Sequence, residues 1–578
     1  MKNVALIGVG PHAKRIYLEY FKKHKVNLAL VVELDSKKTL TKDYLYSHNF
    51  KHTKIFTIPD SMKDNEHLSE LLFNQLVAVC ETLEITHIMI STEPKAHFMY
   101  LEFALKNNIH VLTDKPITVT KNMTSLSSIR RVRDQYYKIL ELAKDSKANC
   151  KVMCQRQYHR GYDEVKRVLR ETVMKYQIPI TYIDIFHSDG NWEMPHDLDK
   201  ENHPYKYGYG KLFHSGYHFI DLLSDFIKIN DCLGNNKKIV KGEVFSKVFT
   251  PNDELQCINI EDYKRLFQNH DVPSFYTENS GLRFKKYGEK NYHGLFTFYN
   301  KQGLTMTTAS LNLLHDGVSR RSWIETRDFY KSNGRIRHER IDIEVGHLLN
   351  IQIHSYQSKE ISERTDNETG VGGLEHFDIY FFKNPLLNDQ PFKEIHLSDL
   401  YSSKEKENIQ GFNELSREDF ITNFLQNNDC KGDIKDQALA IEILYSCSKG
   451  IHNHYKNIKR VETIQMRNDY PFDIKKLCRY SNLLNVRLEK KLVNQFTCFD
   501  DIYQIDVMMN YVESKKLYEV YMVIDDDKTL VSGLLTRVFK SKLSAKMYYF
   551  FLSYLGKYKK ILKLGSIIEH TKIKNFDY

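Results

Sequence analysis

The chain has 578 residues, which is too long for one hydrophobic core and predicts roughly three or four units of ordinary domain size. Hydrophobic residues make up 41% and charged residues 27%, a composition typical of a folded protein rather than a disordered one. The formal net charge of +10 is modest for this length. It suits an anionic cofactor or substrate and gives no reason to expect a nucleic-acid partner.

Targeting and redox signals are sparse. The chain begins directly on an apolar strand pattern, without the basic and apolar regions of an export signal. The most apolar late stretch, residues 547–555, is far shorter than the about 20 residues that cross a bilayer. Nine scattered cysteines without a C-x-x-C pattern argue against a disulfide framework. We therefore expect a cytoplasmic, reduced protein with no membrane partner.

The first strand leads into a glycine-rich turn, Val4-Ala-Leu-Ile-Gly-Val-Gly-Pro-His-Ala13. In such a G-x-G-x-x-A turn, Gly8 permits the tight bend and Gly10 lets the backbone approach a pyrophosphate, while Ala13 allows close helix packing. Pro11 can open the helix because no N–H is needed there, and the remaining amides point at the anion. We predict that a dinucleotide cofactor is bound by Gly8, Gly10, Pro11, His12 and Ala13.

A second strand, Leu28–Glu33, follows at the distance expected of a β-α-β unit and ends on an acid. The Glu33 carboxylate would accept hydrogen bonds from the adenosine ribose hydroxyls and repel a 2′-phosphate. This favours NAD over NADP. Asp35 is an alternative for the same role.

Helices and strands then alternate. The apolar runs at residues 85–90 and 109–113 indicate buried strands, each preceded by a helical pattern, at 68–83 and 96–107. This alternation predicts a doubly wound parallel sheet of the Rossmann type, an α/β dinucleotide-binding domain over residues 1–150.

The alternation of helices and parallel strands ends near residue 150. We predict a strand at 152–158, a helix at 162–176, a strand at 178–186, and an antiparallel sheet from strands at 295–299, 304–311, 340–346 and 376–382. Later helices are predicted at 418–425 and 434–449, the last ending at Gly450. Residues 151–457 would form an α+β substrate and oligomerisation domain. Residues 458–578 would form an α+β accessory unit of unassigned role, with a hairpin at 518–524 and 529–538.

Three motifs carry a family resemblance. Ile85-Thr-His-Ile-Met-Ile-Ser-Thr-Glu-Pro-Lys-Ala-His97 is followed by Asp114-Lys115-Pro116, where the family has Glu-Lys-Pro, and later by a D-x-G-x-H-like segment within residues 210–221. Together with the glycine-rich turn, these motifs resemble the Gfo/Idh/MocA oxidoreductases over about residues 1–457.

The resemblance implies hydride exchange between a nicotinamide and a carbinol or keto carbon, usually of a sugar or polyol. Lys115 matches the family lysine that bonds the reacting hydroxyl and the nicotinamide ribose. Pro116 would fix the backbone there, often through a cis bond. Thr92 and Asp114 are further expected cofactor contacts.

His218 matches the family histidine that acts as general acid and base, a role that suits imidazole. Where the family has an aspartate, this chain has His214. We expect a helix to place His214 and His218 four residues apart on one face, so that both project into the cleft.

Three interpretations of this histidine pair stay open. In the first, Lys115 and His218 catalyse the redox reaction and His214 orients the substrate. In the second, the pair binds a metal with a third ligand from His187, Asp189, His196 or His203. In the third, the missing aspartate marks a protein that binds the dinucleotide but is inactive, a sensor or scaffold. We favour the first and assign no metal ligands.

The substrate itself would be a small sugar, polyol or sugar-derived metabolite. Arg156, Tyr158 and His187 are candidates for its binding, although a structural salt bridge is an equal explanation for Arg156 and packing is a common role for aromatic residues. We also expect copies of the chain to associate through the sheet of the second domain.

Overall fold

The computed structural model describes residues 2–191, 198, 205–266, 284–317, 336–358, 369–373, 375–402, 405, 412–426 and 431–466, and the backbone of four strands between residues 490 and 539. The chain divides into two compact units, Met1–Arg467 and Asn468–Tyr578. The finer division at residues 150 and 457 stays a prediction.

The first sheet has six parallel strands in the order β3-β2-β1-β4-β5-β6. Its strands are β1 Asn3–Ile7, β2 Asn27–Leu34, β3 Lys54–Ile58, β4 Ile85–Ile90, β5 His110–Thr113 and β6 Cys150–Val152. The strand order reverses at β1, which places a ligand crevice at the carboxyl ends of β1 and β4. The predicted α/β fold with a doubly wound parallel sheet is confirmed.

The helices of this half connect the strands. The first runs from Pro11 to His24, with an α-helical start Pro11–Ala13, a π-helical stretch Lys14–Leu18 and an α-helical end Glu19–His24. The others are Lys38–Ser47, Glu70–Thr82, His97–Lys106 and Leu126–Asp145. Residues such as Leu6, Phe21 and Leu112 form the buried core between this sheet and its helices.

The second sheet has nine strands in the order β14-β13-β12-β11-β7-β10-β9-β8-β15. Only β7 and β10 pair in parallel, and the other neighbours are antiparallel. The bounds are β7 Tyr182–Asn191, β8 Ile239–Phe249, β9 Asn291–Asn300, β10 Thr305–Asp316, β11 Ile336–Val345, β12 Leu349–Ser358, β13 Asp378–Lys383, β14 Phe392–His396 and β15 Glu462–Gln465. The predicted, mostly antiparallel sheet is confirmed; association of copies through it stays a prediction.

One face of this sheet is a hydrophobic core. Isoleucines alternate along the strands and are fully buried, as at Ile341, Ile343 and Ile353. The accompanying helices are Arg160–Tyr176, Tyr217–Ile229, Pro251–Cys257, Ile260–Leu266, Phe412–Gln426 and Ala438–Tyr455. In the described part of the chain, no helix is long and apolar enough to cross a membrane.

Of the predicted boundaries that differ from the structure, a strand end and a helix end have a clear physical reason. The strand expected to reach residue 158 ends at Val152, and Gln155–Tyr158 is a 3₁₀ turn in which the Gln157 amide donates to the Cys154 carbonyl. The last long helix does not stop at Gly450 but continues to Tyr455. Gly450 is there for close packing, because a Cβ atom would lie 2.3 Å from the Ser246 hydroxyl on β8.

The carboxy-terminal unit contains a four-stranded antiparallel sheet in the order β16-β17-β18-β19. These strands are β16 Lys490–Phe499, β17 Gln504–Val512, β18 Leu517–Asp526 and β19 Thr529–Phe539. The predicted hairpin is confirmed, because β18 pairs with β19 across residues 527–528. The helical part expected of an α+β unit falls outside the described residues.

Candidate active site

The glycine-rich turn lies between β1 and the first helix. Gly8 has φ of +84°, and a Cβ atom on it would lie 2.9 Å from the Ser91 carbonyl oxygen, so a side chain is excluded by strain and by contact. Gly10 differs: a Cβ atom there would meet nothing within 4 Å. Pro11 is the first helical residue and Ala13 is fully buried. The space above Gly10 is therefore open on the side that a pyrophosphate would approach.

Glu33 is the buried acid at the end of β2. Its Oε2 accepts a hydrogen bond from the Val9 amide in the glycine-rich turn, and its Oε1 accepts one from the Leu34 amide, both at 2.9 Å. These bonds hold the carboxylate beside the turn, and each oxygen keeps a second lone pair for a ligand hydroxyl. Asp35, the alternative, is exposed at the start of a 3₁₀ turn.

Asp114, which follows β5, contacts the first helix and the residue that follows β4. Its Oδ1 accepts from the Tyr17 hydroxyl and its Oδ2 from the Ser91 hydroxyl, both at 2.7 Å, while His12 Nε2 lies 3.7 Å from Oδ2. Burial lowers the pKa of His12 to about 4, although the Asp114 charge opposes that shift. His12 is therefore a neutral imidazole at the mouth of the glycine-rich turn.

The loops after β4 and β5 meet at the ring of His97. One ring nitrogen lies 3.0 Å from the Thr92 carbonyl oxygen and the other 3.0 Å from the Pro116 carbonyl oxygen. The ring is completely buried, and burial lowers its pKa. His97 thus packs between the two loops that contain the expected cofactor contacts Thr92, Asp114 and Pro116, and the single N–H of the neutral ring donates to one of the two carbonyl oxygens.

Lys115 joins this region to the turn that precedes His218. It follows β5, and its peptide bond to Pro116 is cis. The Lys115 ammonium donates a hydrogen bond of 2.6 Å to the carbonyl oxygen of His214. The Asp114-Lys115-Pro116 motif and the segment 210–221, about a hundred residues apart in sequence, therefore meet at this bond.

His218 lies in the second position of the helix Tyr217–Ile229 and is buried. Its pKa is well below the usual range because of burial first, and then because of the nearby positive charges of Lys115 and Arg156. Among the described residues, nothing forms a hydrogen bond with its Nδ1. The site therefore presents a neutral imidazole next to a lysine charge.

The prediction that one helix carries both histidines is wrong. The helix begins at Tyr217, and His214 lies in the preceding turn, where its amide donates to the Gly210 carbonyl. The turn packs against residues 288–290 so closely that a Cβ atom on Gly210 would lie 1.9 Å from the Glu289 carbonyl oxygen. Three rings surround the His214 ring at centroid distances between 5.1 and 6.4 Å: Tyr205, Tyr209 and His315.

A buried lysine in this turn was not predicted as a site residue. Lys211 has no exposed surface, and its ammonium donates to Asp189, to His187 Nδ1 at 3.0 Å and to the Ser215 hydroxyl at 2.8 Å. The Ser215 hydroxyl donates in turn to Asp189 at 2.6 Å. His315 Nδ1 lies 3.2 Å from the same carboxylate. These contacts attach the turn at residues 210–216, which we call the motif turn, to the carboxyl ends of β7 and β10.

Lys211 determines which ring nitrogen of His187 carries the proton. Because an ammonium only donates, His187 Nδ1 must accept, and its proton resides on Nε2. Burial and the Lys211 charge hold the pKa of His187 well below the usual range. Its ring also lies 4.4 Å from that of Phe219, next to His218 in the helix. The substrate-binding prediction for His187 thus falls on a residue beside the expected acid–base histidine.

Arg156 forms a salt bridge, which is one of the two roles that its sequence position predicts. Its guanidinium donates to Glu339 at 2.6 Å and lies 4.2 Å from the centre of the Phe219 ring. It also lines a small polar cavity with His159 and Arg337. Arg156 therefore has a structural partner while its charge still acts on His218.

Tyr158 lies in a different setting. Its ring is 4.8 Å from that of Phe420 and packs against the core of the first sheet, and its hydroxyl accepts from the Lys431 amide at 3.0 Å. These are packing contacts. The substrate-binding prediction for Tyr158 stays a prediction.

The metal hypothesis for the motif histidines finds no assembled ligand set among the described residues. Among those residues, atoms close enough together to hold an ion belong to Asp378, Glu394 and His396, on the edge of the second sheet. The other suggested ligands, His196 and His203, lie outside the described residues.

Comparison with known proteins identifies the amino-terminal part. Residues 2–136 match the family described as "Oxidoreductase family, NAD-binding Rossmann fold", the Gfo/Idh/MocA oxidoreductases. The predicted resemblance is therefore confirmed for this region. No curated protein matches the chain by sequence.

Similar solved structures are distant in sequence. A probable dehydrogenase from Thermotoga maritima is 14% identical, with a TM-score of 0.43, covering 80% of this chain and 98% of its own. The WlbA dehydrogenase from Bordetella pertussis, in complex with NADH and UDP-GlcNAcA, is 10% identical, with a TM-score of 0.45 and coverages of 81% and 98%. An aldose-aldose oxidoreductase from Caulobacter crescentus is 11% identical, with a TM-score of 0.46 and coverages of 80% and 99%.

Replacing Gly10 with valine should abolish NAD binding without unfolding the protein. The new side chain would enter the open space above the turn, which a pyrophosphate needs, yet would meet no protein atom at its Cβ. Calorimetric titration with NAD tests this, and a thermal melt checks folding. Gly234→Val is the matched control, because Gly234 also has an open Cβ direction but lies far from the turn in sequence. Wild-type affinity in the Gly10 variant would contradict the assignment.

Replacing Lys211 with methionine should lower the free energy of unfolding by about 3–5 kcal/mol, because Asp189 would remain buried without its cation. The double variant with Asp189→Asn should recover part of this loss. Lys241→Met, at an exposed ion pair with Glu243, should cost at most about 1 kcal/mol. Urea unfolding measures all three. Equal losses in the Lys211 and Lys241 variants would show that the buried pair is not ionised.

Proposed function

We propose that this chain, whose residues 2–136 belong to the NAD-binding oxidoreductase family, is an NAD-dependent dehydrogenase or reductase acting on a carbinol or keto carbon of a sugar, polyol or sugar-derived metabolite. The observation that carries the proposal is the bond from Lys115 to the His214 carbonyl. It brings the lysine of the nucleotide-binding half against the turn that leads into His218.

The residues around the glycine-rich turn suit a dinucleotide. Gly10 leaves room for a pyrophosphate, the amides after Pro11 are available at the helix start, and the Glu33 carboxylate is held where ribose hydroxyls would bind. Thr92, Asp114 and Pro116 line the neighbouring strand ends. A bound nicotinamide would supply the hydride acceptor or donor for the reaction.

His218 suits the role of proton acceptor in the oxidation direction. Its lowered pKa keeps the imidazole neutral near pH 7, and a neutral imidazole can take the proton of a substrate hydroxyl. Protonation would require a pH below this lowered pKa. Oxidation that depends on His218 should therefore persist at mildly acidic pH.

Lys115 suits the stabilisation of the oxygen that loses this proton. An ammonium close to the reacting hydroxyl favours the developing negative charge, and the His214 carbonyl fixes its position. His214 then acts through its backbone as well as through its ring. This arrangement explains how the motif can keep Lys115 in place although the family aspartate is absent.

The substrate would meet a polar surface. His187 presents a ring beside Phe219, and Arg156 provides a positive charge near His218. These groups suit a polyhydroxylated or charged small molecule better than an apolar one. We assign substrate positioning to His187 and Arg156, and keep Tyr158 as a weaker candidate.

The alternative function is a protein that binds NAD but does not catalyse. The replacement of the family aspartate by His214 is the observation that favours it. Both proposals require NAD binding, and only the first requires turnover that depends on Lys115 and His218. The two are therefore separated by activity rather than by cofactor affinity.

Cofactor preference should follow Glu33. The wild-type protein should bind NAD more tightly than NADP, and Glu33→Gln should reduce this selectivity by roughly 10- to 100-fold, because the repulsion of the 2′-phosphate is removed. Calorimetric titration with both dinucleotides measures the ratio. Asp35→Asn is the matched control and should change little. Relaxed selectivity in the Asp35 variant alone would transfer the role to Asp35.

Activity should depend on Lys115 and His218. With NAD and pools of sugars and polyols, or NADH and keto sugars, turnover is followed by nicotinamide fluorescence. Lys115→Ala and His218→Ala should each lower kcat by about 10²–10⁴-fold while NAD still binds. His214→Asp, which restores the family residue, should keep activity. Turnover indifferent to Lys115 and His218 would contradict the mechanism, and NAD binding without any turnover would favour the alternative.

A further inference from the structure

A cluster of histidine and carboxylate side chains lies at the β14 edge of the second sheet, apart from the motif residues. Cross-strand register places Asp378 of β13 opposite His396 of β14 on one side and His354 of β12 on the other. Glu394 lies two residues before His396 and therefore on the same face of the sheet. Cross-strand neighbours are close enough for their side chains to meet.

Asp378 is the buried centre of this cluster. Its Oδ2 lies 2.8 Å from His376 Nε2 and its Oδ1 lies 2.8 Å from His396 Nδ1. His376 is itself buried, and its Nδ1 accepts a 2.8 Å hydrogen bond from the Tyr356 amide. The proton of the neutral His376 ring must therefore be on Nε2, which donates to Asp378.

The same reasoning fixes the ring of His396. The Asp378 carboxylate Oδ1 accepts at 2.8 Å, so His396 Nδ1 is the donor. The other nitrogen, Nε2, then faces Glu394. A histidine oriented through one nitrogen by a carboxylate, with the other nitrogen directed at a further ligand, is the usual arrangement at metal sites.

The separation between His396 and Glu394 fits two ligands of one ion. His396 Nε2 lies 3.8 Å from Glu394 Oε1, which is longer than a hydrogen bond. Two ligands at tetrahedral positions on zinc, each about 2.0–2.1 Å from the ion, are about 3.4 Å apart. One ligand atom from each of Asp378, Glu394 and His396 lies within 4.8 Å of the others. A movement of a few tenths of an ångström would bring His396 Nε2 and Glu394 Oε1 to the separation of two ligand atoms on one zinc ion.

We propose that Glu394 and His396, with Asp378 orienting the His396 ring, bind one divalent transition-metal ion of the zinc class. The mixture of an imidazole nitrogen with carboxylate oxygens favours such ions over magnesium or calcium, which prefer oxygen ligands throughout. Both side chains are substantially exposed, so water can fill the remaining coordination positions. The site is independent of the proposed redox function.

The test uses the tag-free, full-length protein after dialysis against a chelator. Calorimetric titration with zinc chloride, and absorption spectra with cobalt chloride, are compared for the wild type and for His396→Ala, Glu394→Gln and Asp378→Asn. Two control variants carry the same loss of a histidine elsewhere. His293→Ala removes an exposed histidine on β9 of the same sheet, and His214→Ala removes the motif histidine.

The wild type should bind one ion whose affinity falls by about tenfold or more in His396→Ala and Glu394→Gln, and by about 10- to 100-fold in Asp378→Asn. The two controls should bind as the wild type does. No zinc binding by the wild type, or unchanged binding by His396→Ala, would overturn the proposal. Loss of binding in His214→Ala instead would transfer the ion to the motif histidines. Thermal melts check folding, and Glu394→Gln, at an exposed position, decides the matter if Asp378→Asn unfolds.

Discussion

The buried ammonium of Lys211 is the constraint on which the candidate site depends. A charge without exposed surface is tolerated only when it has a counterion and acceptors for its N–H groups. The acceptors are His187 and Asp189 on β7 and Ser215 in the motif turn. Strand and turn are therefore held in one arrangement, and the helix that carries His218 starts from that turn. The Lys115 bond to the turn completes the connection to the nucleotide-binding half.

The nucleotide-binding half could be predicted because its signals are local. Gly8 needs a positive φ, Gly10 needs an empty Cβ direction, and Ala13 needs to be small, and each requirement is visible within one short motif. The alternation of apolar strands with amphipathic helices gives the parallel sheet in the same way. The position of Glu33 at a strand end predicts its place beside the glycine-rich turn, and the Val9 amide that donates to it belongs to that turn.

The rest of the site depends on partners that are distant in sequence. Lys211 reads as an ordinary surface lysine until the fold places β7 around its ammonium. The sequence pattern also predicted a helix through His214, because it shows a favourable spacing but not the backbone of residues 288–290 that packs against Gly210. The predicted helix end at Gly450 is wrong for a similar reason, because a glycine that ends a helix and a glycine that makes room for a neighbouring strand look the same in sequence.

The two edges of the nine-stranded sheet bear on how copies of this chain can meet without aggregating. β14 has five residues, and β15 has four and pairs with only residues 241–244 of β8, so among the described residues it is the β14 edge that offers only a short row of unpaired backbone groups. β14 also carries Lys393 and Glu394, and charged side chains on an edge oppose the addition of a strand from another chain. Pairing of a strand of another copy with β14 through backbone hydrogen bonds is thus disfavoured. An assembly built on this sheet would stack faces, with its geometry set by side chains rather than by backbone pairing.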